Sequence, residues 1–205
     1  MPRIDFWYEF ASNYAYLSAM RIEALADTAG VEVTWKPFLL GPIFAAQGLT
    51  DSPFNIFKRK GDHMFRDMER QGVAMGIPFT LPDPFPQNSL TTARVGLVAL
   101  REGWGVPYTK AVYLAQFRDG RRTADPDVLG AIIAELGHDP EAVFASATTP
   151  DNKAALKART EQALELGIFG APTFITEDGE LFWGDDRLEQ ALYWAGHGTL
   201  SGWRG

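Results

Sequence analysis

Ile4-Asp5-Phe6-Trp7-Tyr8-Glu9-Phe10-Ala11-Ser12-Asn13-Tyr14-Ala15-Tyr16-Leu17 is the stretch on which the fold turns. Ile4 to Phe10 is dense in aromatics, with only Asp5 and Glu9 as charges, which is the length and composition of a largely buried strand. Ser12 and Asn13 follow, both good N-cap types, because a short polar side chain can accept an amide hydrogen that a helix start leaves unpaired. Tyr16, Leu17, Met20, Ala24 and Leu25 then recur at helical spacing up to Gly30, which reads as the C-terminal stop. Val31, Val33 and Trp35 alternate with Glu32, Thr34 and Lys36 before Pro37, so a second, half-buried strand comes next. Strand, helix and strand in this order predict a right-handed crossover between parallel neighbours.

Outward from this start the texture changes at Phe38. Pro42, Pro53, Pro78, Pro82, Pro84 and Pro86 punctuate segments of helical periodicity, and no alternating run of strand length appears before about residue 170. Helices are predicted over Phe54 to Met75, Ser89 to Glu102, Pro107 to Phe117, Pro126 to Leu136 and Pro140 to Ser146, with Leu97, Leu100, Ile132 and Leu136 as packing stripe. An amphipathic helix from Asp151 to Leu166 ends at Gly167, and strands Pro172 to Thr176 and Glu180 to Trp183 are joined across Glu177-Asp178-Gly179. A last helix, Arg187 to Ala195, is expected to be capped by Asp185 or Asp186 and stopped by Gly196. The class is α/β: a β-α-β and an α-β-β-α flank, residues 1–40 and 151–205, forming one small domain split by an all-helical insertion at 41–150.

Composition narrows the chemistry. With 205 residues, 46% of them hydrophobic, the chain is long enough to bury a sizeable core. Cys 0 removes disulfides, Cys-ligated zinc, CxxC redox pairs and a cysteine nucleophile, so any thiol chemistry must use a borrowed thiol. Lys+Arg 19 against Asp+Glu 26 leaves a net charge of -7 with the bases scattered, which gives nucleic acid no electrostatic footprint. The opening MPRIDFWYEF is broken by Arg3, Asp5 and Glu9 and lacks a signal peptide's apolar core, and no apolar run reaches membrane-span length, so a soluble cytoplasmic protein is expected. His63, His138 and His197 are the only histidines; His63 and Asp67 share helical spacing, but two ligands do not make a metal site, and none is expected. Asp83, Asp125 and Asp127 lie in proline-rich turns and read as turn or cap residues.

Two places can hold chemistry. Ser12 stands where the first strand turns into the first helix, so unpaired amides and the positive end of the helix dipole favour an anion there. As a bare N-cap it is worth about 1 kcal/mol. As a nucleophile it lacks both a neighbouring base and a G-x-S-x-G turn, which disfavours a serine hydrolase. The second place is Gly170-Ala171-Pro172-Thr173-Phe174, where a proline opens a strand from a glycine-bounded turn and is a candidate for a cis peptide.

These features in order, with GIFGAPTF before a hairpin, resemble the thioredoxin fold of the disulfide-oxidoreductase lineage without its redox cysteines. More narrowly, Asp5 to Leu17, Lys60-Gly61 with Met64 and Asp67, GIFGAPTF, and Phe182-Trp183-Gly184-Asp185-Asp186-Arg187-Leu188 are similar to the 2-hydroxychromene-2-carboxylate isomerases and kappa-class glutathione transferases over nearly the whole chain. The resemblance implies glutathione as cofactor, with Ser12 hydrogen-bonding its sulfur, Ala171 pairing its cysteinyl backbone beside a cis Pro172, Asp186 holding the γ-glutamyl amino group and Lys60 reaching the glycyl end. Asp185 stands where Ser or Asn is usual and is expected to bring a negative charge near the γ-glutamyl carboxylate. Asn13 replaces a common proline. Asn55 lies close to the position of a pocket asparagine, and Arg94 or Arg59 is a candidate partner for a substrate carboxylate, so Asn13, Asn55 and Arg94 are the expected substrate contacts. The implied activity is isomerisation of a small aromatic or conjugated carboxylate by reversible thiolate addition, in a homodimer as in the relatives. A conjugating transferase and a non-catalytic binding protein of the same fold are the alternatives.

Overall fold

Residues Arg3–Tyr8 form β1, Glu32–Pro37 β2, Thr173–Thr176 β3 and Leu181–Trp183 β4 in a computed structural model that describes residues 1–204. They make one sheet in the order β2-β1-β3-β4, with β1 parallel to β2 and antiparallel to β3. Phe6 is the hub of the register, opposite Trp35 on one side and Phe174 on the other. Period-two alternation explains why this strand is central: Ile4, Phe6 and Tyr8 enter the main core, while Trp7 joins Phe38, Ile43, Ala163, Ile168 and Ile175 on the opposite face. The arrangement is a thioredoxin-like α/β fold.

The first strand is shorter than its aromatic run suggests. It stops at Tyr8, and Glu9 to Ser12 form a tight turn closed by the Ser12 amide donating to the Glu9 carbonyl at 2.9 Å. Helix α1, Asn13–Ala29, leaves from this turn and is stopped by Gly30 in the left-handed region. Gly105–Phe117 forms a helix, α6 in chain order, that holds the turn from behind: Tyr113 Oη donates to the Glu9 carbonyl at 2.9 Å and Gln116 Nε2 to the Phe10 carbonyl at 3.1 Å.

Between the two parts of the sheet the remaining helices are α2 (Leu40–Ala46), α3 (Pro53–Ile56), α4 (Lys58–Met75), α5 (Leu90–Arg101), α7 (Pro126–Glu135), α8 (Pro140–Ala147) and α9 (Pro150–Glu165). Two details depart from the sequence expectation. Helix α2 was masked by Pro42, which here sits in a first turn, where a missing amide costs nothing. The single helix expected from Phe54 to Met75 breaks at Phe57, because Gly61 of α4 lies against the Phe54 carbonyl so closely that a Cβ would meet it at 2.6 Å.

The C-terminal start also differs. Asp185–Arg187 is a single 3-10 turn, and the helix after it, α10, spans Leu188–His197, so it runs through Gly196 and stops at Gly198. Neither aspartate side chain caps α10. Asp185 is engaged elsewhere: its Oδ1 accepts from Ser18 Oγ at 2.7 Å and from Arg21 Nη2 at 2.9 Å, tying the turn to α1. Among the described residues no helix is long and apolar enough to cross a membrane.

Candidate active site

A cavity of about 890 Å³ opens beside the turn from β1 to α1. Its walls come from that turn, from α2 and the loop to α3, from the segment leading into α5, and from the approach to β3. The volume falls in the range of roughly 300–1,000 Å³ that small-molecule sites occupy. Of the residues expected from sequence, Ser12, Asn13, Lys60 and Ala171 line it.

Ser12 caps α1 with extended backbone, its Oγ accepting from the Ala15 amide at 3.2 Å and donating to the Ala171 carbonyl at 2.9 Å. The Ala171–Pro172 peptide is cis, and Pro172 is buried behind Ala171. The hydroxyl is therefore shared between a helix start and a bend 159 residues further along the chain. Asn13 is 2% exposed; its Oδ1 accepts from the Tyr14 amide at 2.9 Å, while its Nδ2 has no partner among the described residues. A buried donor without an acceptor costs about 1–3 kcal/mol. Lys60 is exposed on α4, its Nζ 4.9 Å from the Phe57 ring, and makes no ion pair among the described residues.

The other expected residues lie off the wall. Asn55 is exposed and its Nδ2 donates to Asp51 Oδ2 at 3.0 Å. Arg94 sits on the α9 side of α5, where its carbonyl accepts from Asn152 Nδ2 at 3.0 Å, and neither it nor Arg59 reaches the cavity. Asp186 is at the surface, paired with Arg187 at 3.2 Å, beside Gly184, whose φ of 110° only glycine adopts readily and whose added Cβ would meet Asp186 Oδ1 at 2.6 Å.

Asp185 corrects the charge argument. Instead of facing the site, it is buried against Arg21, which also holds Glu189 at 2.6 Å. Burial pushes its carboxyl up, and the Arg21 charge and the Ser18 and Arg21 hydrogen bonds pull the other way. Its negative charge is compensated inside the protein and is not presented to a ligand. No three His, Asp or Glu side chains among the described residues converge to hold a metal, and Asp67 takes the Tyr14 hydroxyl at 2.9 Å.

Several wall residues were not anticipated. Phe169 and Trp183 meet at 4.9 Å between centroids with their rings tilted by 56° at one wall, and Tyr14 and Phe85 add aromatic surface. The most unusual is Glu9, only 4% exposed yet lining the cavity. Its Oε2 accepts from the Ala11 amide at 2.8 Å and its Oε1 from the Ser89 hydroxyl, and it has no ion-pair partner among the described residues. Burial pushes its carboxyl from 4.5 up to about 7, against the lowering effect of those two hydrogen bonds. The signal available in sequence was an acid at the end of an aromatic strand, three residues before the capping serine.

A thioredoxin-like sheet that presents a serine hydroxyl at the start of its first helix, against a cis Ala-Pro bend and with no cysteine anywhere in the chain, defines a thioredoxin-fold protein that cannot run disulfide exchange with its own side chains. The chain belongs to the family of DsbA-like thioredoxin domains, whose model matches residues 3–193. It is 26% identical over 186 residues to a 2-hydroxychromene-2-carboxylate isomerase of Sphingobium xenophagum, covering 91% of this chain and 94% of that one. It is 26% identical over 201 residues to glutathione S-transferase kappa 1 of Caenorhabditis elegans, covering 92% and 88%. A solved 2-hydroxychromene-2-carboxylate isomerase superimposes with a TM-score of 0.86 at 24% identity, over 98% of this chain and 97% of the other.

Proposed function

We propose that the protein is a glutathione-dependent isomerase of the 2-hydroxychromene-2-carboxylate type, acting on a small conjugated carboxylate. The observation that carries this reading is the placement of Ser12 Oγ at the α1 N-terminus on the cavity wall, against the cis Ala171–Pro172 bend. The residues present fit glutathione at two points. A hydroxyl and helix start suit its sulfur, and Lys60, which makes no ion pair among the described residues, suits a carboxylate. Asp186, the acid implied for the γ-glutamyl end, stands outside this wall, exposed and paired with Arg187.

Bound glutathione would supply a thiolate able to add reversibly to an electron-poor carbon. An ordinary cysteine thiol, with a pKa of about 8.5, is only a few per cent ionised at neutral pH, and each unit of lowering requires about 1.36 kcal/mol of preference for the anion. One hydrogen bond to a charged group is worth about 1.5–3 kcal/mol and a helix N-terminus about 0.3–1 kcal/mol, so Ser12 and α1 together suffice for one to two units. To donate to sulfur, the Ser12 hydrogen turns away from the Ala171 carbonyl. The apolar walls from Phe44, Phe54, Phe85 and Trp183 suit a flat conjugated substrate.

Ser12→Ala tests this. Calorimetry and ultraviolet absorbance of the thiolate should show glutathione still binding but with its thiol harder to ionise, and folding should lose about 1–2 kcal/mol from the missing cap and the bond to Ala171. An unchanged thiolate signal would leave Ser12 as a helix cap only, and no glutathione binding by the wild type at millimolar concentration would remove the reading. A conjugating transferase is the second reading, favoured by the kappa relative. It uses the same wall and differs in whether the adduct is released unchanged.

A further inference from the structure

We propose that Glu9 is the proton carrier of this cavity, giving its carboxyl proton to the substrate oxygen on which charge gathers and taking it back as product forms. The inference deepens the isomerase reading and rests on it, but its observations are separate. Glu9 and Ser12 sit on one tight turn, closed by the Ser12 amide on the Glu9 carbonyl at 2.9 Å. The turn is clamped by Tyr113 and Gln116 from α6 and by the Ser89 hydroxyl at the start of α5. The site thus holds a thiol-orienting hydroxyl and a carboxyl in fixed relation, both on the wall of one cavity.

The groups facing Glu9 are polar but uncharged. Ser89 comes from the start of α5 and Tyr113 from α6, where burial raises its own hydroxyl well above the ordinary range, while Asn13 and Tyr14 of α1 line the same cavity. Lys60 is the one cation lining the cavity among the described residues, and it is exposed on α4. The other carboxyl on the wall, Asp51, is exposed and occupied by Asn55 and the Ser52 amide. A buried acid without a counter-charge, titrating at about 7, is about half protonated at neutral pH, which poises it to give a proton and take it back. A role limited to shaping the turn would need only an acceptor for the Ala11 amide, which an amide side chain also provides.

The step balances. The ring C–O bond of the hemiketal first opens, its hydroxyl proton passing to the ring oxygen, which leaves a carbonyl conjugated to the carbon–carbon double bond; when a nucleophile then joins one end of that system, the π pair moves to the carbonyl oxygen at the other end. The Glu9 O–H bond breaks, its proton passes to that oxygen, and the bonding pair stays on the carboxylate. The carbon–carbon bond is now single and turns. The proton then returns to Glu9, the double bond re-forms, and the nucleophile departs with its bonding pair. Nothing is oxidised and no proton is consumed.

The test uses Glu9→Gln and Ser89→Ala in the whole protein, with glutathione and 2-hydroxychromene-2-carboxylate as probes. Glu9→Gln should bind glutathione as the wild type does, lose about 100-fold or more in kcat, and lose an infrared carbonyl band of a protonated carboxyl that the wild type shows at neutral pH. Wild-type kcat should fall with an alkaline limb near pH 7, set by the carboxyl at about 7. Ser89→Ala, which removes a bond that favours the ionised form, should move that limb to higher pH and keeps the proposal testable if the Gln variant does not fold. A Gln variant with near wild-type kcat and the same pH profile, or an unmoved limb in Ser89→Ala, would overturn the role of Glu9 alone. Failure of the wild type to bind glutathione would overturn the isomerase reading, and this role with it.

Discussion

Replacing Glu9 by Gln should flatten the dependence of folding stability on pH. The folded carboxyl titrates at about 7 against an ordinary value of 4.5, because burial disfavours its charge. The sign follows directly. A folded value above the unfolded one means the folded chain holds the proton more tightly, so the stability contributed by neutral Glu9 is fully present below 4.5 and is lost as pH rises through 7. Each unit between those values is worth about 1.36 kcal/mol, which makes the loss about 3 kcal/mol by about pH 8. Urea unfolding at a series of pH values, wild type against variant, isolates this residue, since all other groups titrate alike in both proteins. The variant should gain about 3 kcal/mol on the wild type between about pH 4.5 and pH 8. Parallel stability curves would refute the reasoning and show that water or the start of α5 already satisfies a charged Glu9.

Three further outcomes are expected. Asp185→Asn should cost about 1–3 kcal/mol in urea unfolding, because Arg21 keeps only Glu189 as a charged partner, while glutathione affinity measured by calorimetry stays unchanged; a tightened affinity would return Asp185 to the site. Gly61→Ala should cost about 1–3 kcal/mol from overpacking against the Phe54 carbonyl and should weaken glutathione as well, since the contact sets the position of Lys60; full wild-type affinity in the folded variant would exclude the link. Lys60→Met should weaken glutathione by about 1 kcal/mol or less, an effect that shrinks with added salt because the lysine is exposed; a loss independent of salt would argue against an ionic contact.

The β1-α1-β2 opening could be read from residues 4–37 because its signals are local: period-two burial, a capping serine and a left-handed glycine each act within a few residues. The interior helices were legible for the same reason, apart from α2 and the break at Phe57. That break depends on a glycine packing against a carbonyl seven residues earlier in the next turn of chain. The place of Ser12 at a helix start was likewise visible, but what its hydrogen does was not, since its partner is 159 residues away.

Composition and local pattern therefore determined the fold class, the lack of any intrinsic thiol chemistry and the capping position of Ser12. Tertiary structure alone decided which charged and polar groups face the cavity. Glu9 lies among aromatics and Asp185 beside Asp186 and Arg187, but neither neighbourhood says what its carboxyl meets. One meets the Ser89 hydroxyl across 80 residues and stays uncompensated on the cavity wall; the other meets Ser18 across 167 and Arg21 across 164 and is neutralised inside the protein. Burial and counter-charge are properties of contacts between distant segments, and they set whether a carboxyl is a proton carrier or half of an ion pair.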